Sequence, residues 1–400
     1  MAIALAPPAC GLFRKSSGGG SASASASSGV PETTVPAGVA PLDAPTWKPL
    51  SDPSFIGLPQ GCSVGSVVRR AALPAGSVRF SAPANGSDLV LAIDSDGDDT
   101  VERAGVFDAE GRPSATFPWT TLSAPPSMVR TPAGFAAVRI AESEGGLRSA
   151  ELWVPKGRSQ RLVAGDHLEI VDASCSGSTC AVLTSFAAES AGPGATLMVG
   201  DPMGRSSWKR IDFPGGDDEW VPFSIADVDN TTVFVALSGQ TKIGLWRVVD
   251  GTASHLATID APLGAYDIVL GDEPVVIAPG ENIDGECTRD GFTVKLIAPN
   301  GKALEIDGHV PPETVVVRRL DGGFIVGWLS PTRCLTRSRQ TARAFLLGRD
   351  GAPKTSTMAM TEADGFAIST HGSELDLWLA REGELVWAKG TCRIPGPSAR

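Results

Sequence analysis

Six glycines recur along this chain at a spacing that few folds can use. They close the strand-like segments AGVFDAEG at Gly111, AELWVPKG at Gly157, TLMVGDPMG at Gly204, GLWRVVDG at Gly251, VKLIAPNG at Gly301 and AFLLGRDG at Gly351. The intervals between them are 46, 47, 47, 50 and 50 residues. A tight hairpin needs φ > 0 in its turn, and glycine takes that conformation without a Cβ clash. Each glycine is therefore read as the tip of the same hairpin in a repeated unit, and a period of this length points to a repeat architecture.

The segments around each glycine complete the unit. A second strand lies upstream: DLVLAI (88–93), GFAAVRI (134–140), CAVLTSF (180–186), TVFVAL (232–237), EPVVIA (273–278) and GFIVGW (323–328). Before it comes another strand, as in SMVRTPA (127–133), LEIVDAS (168–174) and TVVVRRL (314–320). After the glycine comes a more polar one, such as RSQRLV (158–163) or ASHLATI (253–259). A seventh unit, GFAIST (365–370), LDLWLA (375–380) and ELVWAKG (384–390), ends one strand short. The missing strand is assigned to GCSVGSVVRRAA (61–72), ahead of the first inner strand SVRFSAP (77–83).

Four strands per repeat, closed by a strand from the other terminus, resemble the β-propeller superfamily over roughly residues 55–392. The resemblance is architectural, since neither a Trp-Asp nor a double-glycine signature recurs. The expected fold is all-β, a single seven-bladed β-propeller closed by an N-terminal strand, with six or eight blades as alternatives. Its domain is placed at 47–400.

The bulk composition fits. Apolar residues make up 42% and charged residues 20% of the chain, with 46 glycines and 31 prolines, as many short strands joined by turns require. The net charge of −11, from 34 basic and 45 acidic residues, disfavours nucleic acid, which needs phosphate neutralisation. No run of 18 apolar residues predicts a transmembrane helix. Residues 1–15 read as a remnant of an export signal, with Cys10 as the lipidation candidate. Ala9 fits a bacterial lipobox, Pro7 stands where leucine is wanted, and a missing basic segment puts the start upstream. A plain leader or a mis-called start codon is the alternative. Residues 16–46, rich in Ser, Gly, Ala and Pro, read as a disordered tether. The expected location is extracytoplasmic, secreted or lipid-anchored at the cell surface.

Setting Cys10 aside, six cysteines allow fifteen pairings. The blade register selects three of them: Cys62 with Cys392, Cys175 with Cys180, and Cys287 with Cys334. Reduced, buried thiols are the alternative. The even set points to an oxidising compartment.

Chemistry is sparsely marked. GCSVG (61–65) matches the nucleophile pattern G-x-S-x-G, but Ser63 falls on a predicted outer strand rather than a strand-to-helix turn. The four histidines show no metal-ligand spacing, and Trp153, Trp246, Trp328 and Trp378 are read as core. Asp94, Asp96, Asp98, Thr100 and Glu102 resemble the calcium loops of FG-GAP-type repeats, which implies Ca²⁺ as the cofactor. The loop occurs once and joins a second strand to a third, and a solvated acidic turn is the alternative.

The connectors from fourth to first strands surround one mouth of a propeller. They carry Asp166, His167, Asp217, Asp218, Glu219, Trp220, Tyr266 and His309, with Glu362 and Asp364. An acidic rim with aromatics suits a protein, peptide or glycan partner. The resulting expectation is a monomeric, non-enzymatic exported binding or scaffold protein. The alternative is an extracellular glycan hydrolase or lyase using carboxylates at that mouth.

Overall fold

The computed structural model describes residues 48–49 and 56–396, apart from 73–76, 82–88, 95–100, 108–112, 121–126, 132–133, 143–145, 154–159, 166–167, 189–191, 204–206, 214–224, 230, 240, 261–266, 271–273, 280–292, 301–302, 308–314, 332–339 and 382. Every element among the described residues is a strand. β1 (Lys48–Pro49) and β2 (Cys62–Ala72) precede the first sheet. Sheet one holds β3 (Ser77–Ser81), β4 (Leu89–Asp94), β5 (Val101–Phe107) and β6 (Pro113–Thr120). Sheet two holds β7 (Ser127–Thr131), β8 (Gly134–Glu142), β9 (Arg148–Trp153) and β10 (Gln160–Gly165). Sheet three holds β11 (Glu169–Ser176), β12 (Thr179–Ala188), β13 (Gly192–Gly200) and β14 (Lys209–Phe213). Sheet four holds β15 (Ile225–Asp229), β16 (Thr232–Ser238), β17 (Lys242–Val249) and β18 (Thr252–Asp260). Sheet five holds β19 (Asp267–Leu270), β20 (Pro274–Pro279), β21 (Thr293–Ile297) and β22 (Ala303–Asp307). Sheet six holds β23 (Val316–Leu320), β24 (Gly323–Pro331), β25 (Gln340–Gly348) and β26 (Met358–Ala363). The last sheet takes β27 (Gly365–His371), β28 (Glu374–Arg381) and β29 (Glu384–Cys392) from the C-terminus, then β2 and β1 from the N-terminus.

Each of the first six sheets is an antiparallel meander in chain order. First strands lie against those of the next sheet, from β7 through β11, β15, β19 and β23 to β27, and β27 also touches β3. This is β-propeller architecture, as the repeat predicts.

Alternation explains why the strands are apolar on both faces. In β20, Val275 and Ile277 pack with sheet six, around Val317, Phe324 and Trp328. Val276 and Ala278, pointing the other way, pack with Ala236, Leu245 and Ile259 of sheet four. In β24, Phe324, Val326 and Trp328 face sheet five, while Ile325 and Leu329 join Ile368 and Leu377 of the last sheet. Gly327 keeps that second face close: a Cβ there would lie 2.8 Å from Ile368 Cδ1. Trp328 and Trp378 are fully buried, as expected, whereas Trp246 is half-buried against Phe213 and the exposed His255.

The seam between the termini forms in the expected register. Cys62 lies opposite Cys392 in the β2–β29 pair, and the two are disulfide-bonded across 330 residues. Cys175 and Cys180 are bonded across the β11–β12 hairpin. Beside the seam, Trp378 stacks on Trp387 at 4.6 Å, and the Trp387 indole donates to Asp376 Oδ1 at 2.9 Å. Two features go beyond the sequence reading. β1 pairs with the outer side of β2. Residues 56–59 run along the edge of sheet six, where Gly57 N–H donates to Met360 O at 2.8 Å and Ile56 enters the core between sheet six and the last sheet.

Two repeat glycines fall among the described residues, and both have positive φ: Gly251 at 81° and Gly351 at 68°. Asp250 shares the β17–β18 turn at φ 51°, the two-residue hairpin pattern favoured by Asp-Gly. In the β25–β26 turn, the Lys354 ammonium donates to Asp350 Oδ2 at 2.8 Å and Ala352 N–H to Oδ1 at 3.1 Å. The Lys354 hydrogen bond, helped by the Ala352 N–H, holds the Asp350 carboxyl below its ordinary value. A carboxyl whose folded pKa is depressed stabilises the fold above its unfolded value, and that contribution is lost as pH falls through the lowered midpoint. In an NMR titration Asp350 should therefore titrate below an unperturbed aspartate, at acid pH, and Lys354→Met should move its midpoint upward. An unchanged midpoint would show that the contact does not form in solution.

Candidate functional site

The strand boundaries on either side of the sequence-predicted mouth are those that the four-strand repeat requires. Asp166, His167, Asp217, Asp218, Glu219, Trp220, Tyr266 and His309 lie outside the described residues. Each falls in sequence between the end of a fourth strand and the start of a first strand. Glu362, near the end of β26, and Asp364, before β27, are both exposed. In the calcium-type loop, Asp94 ends β4 and Glu102 is the second residue of β5, so the loop joins a second strand to a third. Asp96, Asp98 and Thr100 are outside the described residues, as are Cys10, Cys287 and Cys334. Among the described residues, no three His, Cys, Asp or Glu side chains gather as a metal site. Nor is any helix there long and apolar enough to cross a membrane.

Ser63 sits in β2, exposed, with its Oγ 3.3 Å from Thr391 Oγ1 across the seam. It is the second residue of a strand, one place from the disulfide, and a nucleophile elbow needs a strand-to-helix turn. The two disulfides are bonds of the kind that form and persist in an oxidising environment.

Described residues also line a partly open cleft that sequence reasoning did not find. It has a volume of about 380 Å³ and opens between sheets three and four. Thr179, Asp201, Ser207, Lys209, Thr231 and Asp250 contribute to its lining. All of these sit at first-to-second or third-to-fourth strand hairpins. They are therefore at the opposite end of the sheets from the fourth-to-first connectors.

Local sequence builds the cleft. Trp208 immediately precedes β14 and Lys209 is its first residue, and their side chains leave in opposite directions, as those of successive residues in extended chain do. Trp208 turns back toward sheet two, where its indole N–H donates to Gln160 Oε1 at 3.0 Å, and Gln160 Nε2 donates to Pro202 O at 3.2 Å. Gly200 admits this ring, since a Cβ would lie 2.6 Å from it. The interface of sheets two and three is thereby filled. Lys209 turns forward, and its ammonium donates to Asp250 O at 2.9 Å on sheet four. A Cβ on Gly251 would come within 2.8 Å of Lys209 Cδ, so the bare turn leaves room for the lysine to cross. Asp201, nine-tenths buried, accepts Met203 N–H on Oδ1 at 2.8 Å, closing its own turn. The available signal was the Trp-Lys pair at a strand start facing an Asp-Gly turn, but it becomes legible only once the two sheets are known to adjoin.

No protein-family model matches this chain, and no curated protein sequence is similar to it. Several solved structures resemble it in backbone course at low identity. The β-propeller domain of the trilobed protease from Pyrococcus furiosus aligns with a TM-score of 0.47 at 11% identity, over 80% of this chain and 99% of that one. Acylaminoacyl peptidase from Pyrococcus horikoshii aligns with a TM-score of 0.46 at 11% identity, over 76% of this chain and 49% of that one. This chain thus spans about half the length of that peptidase. A subtype N10 neuraminidase-like protein of A/little yellow-shouldered bat/Guatemala/060/2010 aligns with a TM-score of 0.41 at 11% identity, over 82% and 99% of the two chains. Likenesses of this degree say nothing of activity or ligand.

Proposed function

We propose that this chain is an exported, non-enzymatic binding or scaffold protein, built as a seven-bladed propeller on the tether 16–46. The observation that carries the reading is the disulfide between Cys62 and Cys392, which joins the two ends of the chain at the pairing of β2 with β29. Such bonds persist in oxidising compartments, which supports export. A covalently closed frame also suits a fixed display of loops, and binding residues concentrate on loops held by a rigid scaffold. The run of touching first strands from β7 to β27, and on to β3, supports a single ring of seven blades. In this reading the fourth-to-first connectors form the ligand mouth, with the acidic residues from Asp217 to Glu219 at its centre. The loop from Asp94 to Glu102 holds Ca²⁺, and Cys10 is the lipid attachment point.

A glycan array and a peptide array, each probed in calcium and in chelator, test this reading. A discrete set of hits should appear and weaken at least tenfold when Asp217, Asp218 and Glu219 are changed together to the amides. Hits that survive that change would move the site elsewhere, and no hits on either array would overturn the reading. Turnover of a glycan hit would favour the hydrolase or lyase alternative.

A further inference from the structure

The disulfide between Cys175 and Cys180 adds little to the fold. It joins directly opposed residues of β11 and β12, next to the turn that already holds those strands together. A cross-link stabilises mainly through the length of the loop it closes, and this one spans 5 residues where Cys62–Cys392 spans 330. The equivalent hairpins do without it. Those of sheet four, sheet six and the last sheet carry Val228–Val233, Arg319–Phe324 and Thr370–Leu375 at the corresponding pair, and they close with no covalent bond.

Both disulfides pair a half-buried cysteine with a buried one, but their surroundings differ. Beside Cys175 the turn is made of Ser176, Gly177 and Ser178, and the last two are exposed. A Cβ added at Gly177 would meet nothing within 4 Å. Around Cys62 the chain closes in. Leu58 and Ile394 pack into the same cluster, and a Cβ at Gly61 would collide with Arg393 O. Disulfides are attacked by thiolates at rates that depend on access to a sulfur, and exposed bonds are the labile ones.

We propose that Cys175–Cys180 is a thiol–disulfide exchange site, which takes two electrons from a dithiol while the fold stays intact. The incoming thiolate attacks Cys175 Sγ, because Cys180 is only 1% exposed. The Cys175–Cys180 bond breaks as a mixed disulfide forms on Cys175, and Cys180 leaves as a thiolate that takes up a proton. The partner's second thiolate then attacks the partner's own sulfur in that mixed disulfide. The partner departs with its two sulfurs bonded to each other, and Cys175 takes up the second proton. The two electrons and two protons that the dithiol loses are those the chain gains. A partner carrying a disulfide runs the same steps backward. β11, β12 and β13 remain paired throughout, since the turn and the ladders hold them without sulfur. The site uses none of the connector residues of the proposed mouth, so either can fail without the other.

The test exposes the full oxidised chain to dithiothreitol, with acid quenching, alkylation and peptide mapping at intervals. Cys175–Cys180 should be reduced at least about tenfold faster than Cys62–Cys392, with far-ultraviolet dichroism unchanged at that stage. Single variants locate the attacked sulfur. With oxidised glutathione, Cys180→Ser should acquire a mixed disulfide on Cys175 at least about tenfold faster than Cys175→Ser acquires one on Cys180. The proposal is overturned if Cys175–Cys180 is reduced no faster than Cys62–Cys392, if its reduction unfolds the chain, or if Cys180 takes up glutathione as readily as Cys175.

Discussion

Cys392→Ser lowers the melting temperature by up to about 8 °C, whereas Cys175→Ser lowers it by about 3 °C. Both figures come from the loop each bond closes. The Cys62–Cys392 bond spans 330 residues and the Cys175–Cys180 bond 5. In the chain-entropy account these are worth about 6 and about 2 kcal/mol, the first as a ceiling. Unfolding entropy of about 2.1 cal/mol/K per residue over roughly 340 residues converts them to those shifts.

The seam adds a kinetic reason. β2 and β29 come from opposite ends of the chain, so no hairpin turn holds them together. Without the bond, fraying at Cys62–Cys392 exposes strand edges, and free edges pair with other chains. Cys392→Ser should therefore aggregate on heating at a lower temperature than Cys175→Ser. Calorimetry with light scattering checks both statements. Equal melting temperatures for the two variants would show that the pairing of β2, capped by β1 and anchored by Ile56, holds without the covalent link.

Arg139→Met costs about 3–5 kcal/mol, the second large effect expected. Glu151 is 1% exposed in the middle of sheet two. Arg139 stands directly opposite it on β8, with Nη2 3.2 Å from Oε2, and Ser149 Oγ donates to Oε1 at 3.5 Å. Removing the guanidinium takes one partner out of a buried ion pair, and breaking such a pair from one side carries the quoted cost. The pair itself is not strongly stabilising, because both ions lost water to form it. The double change Arg139→Met with Glu151→Leu should therefore recover most of the loss. Urea denaturation of the parent, the single and the double variant gives the comparison. A single variant within about 1 kcal/mol of the parent would mean that Glu151 is reached by water or by another cation.

The same residue shows where sequence reading stops. In AELWVPKG, Ala150 and Leu152 alternate with Glu151, and such a pattern ordinarily sends the charged residue to solvent. Ala150 and Leu152 do pack toward sheet three. Glu151 points to the other face, yet it is buried as well. Period two tells which residues share a face, and it does not tell whether that face is covered. In a propeller both faces of each sheet meet a neighbour, so a charge on the second face needs a partner from its own sheet, here Arg139.

The repeat, the strand order and the seam can be read from the residues alone. Those features are local, or fixed by counting. The positive φ of Gly251 and Gly351 follows from turn chemistry, and Cys62 meets Cys392 because the last unit lacks one strand. What lies between the sheets emerges only when they pack. Ile56 in the core, Gly57 along β26, the Arg139–Glu151 pair and the Lys209 cleft all depend on packing between strands. Trp208 fills one interface and Lys209 leaves the next open, although the two residues are neighbours in the chain. Strand alternation sends them to different sheets, and what each then meets is set by residues about one repeat away, whose register with them no local pattern encodes.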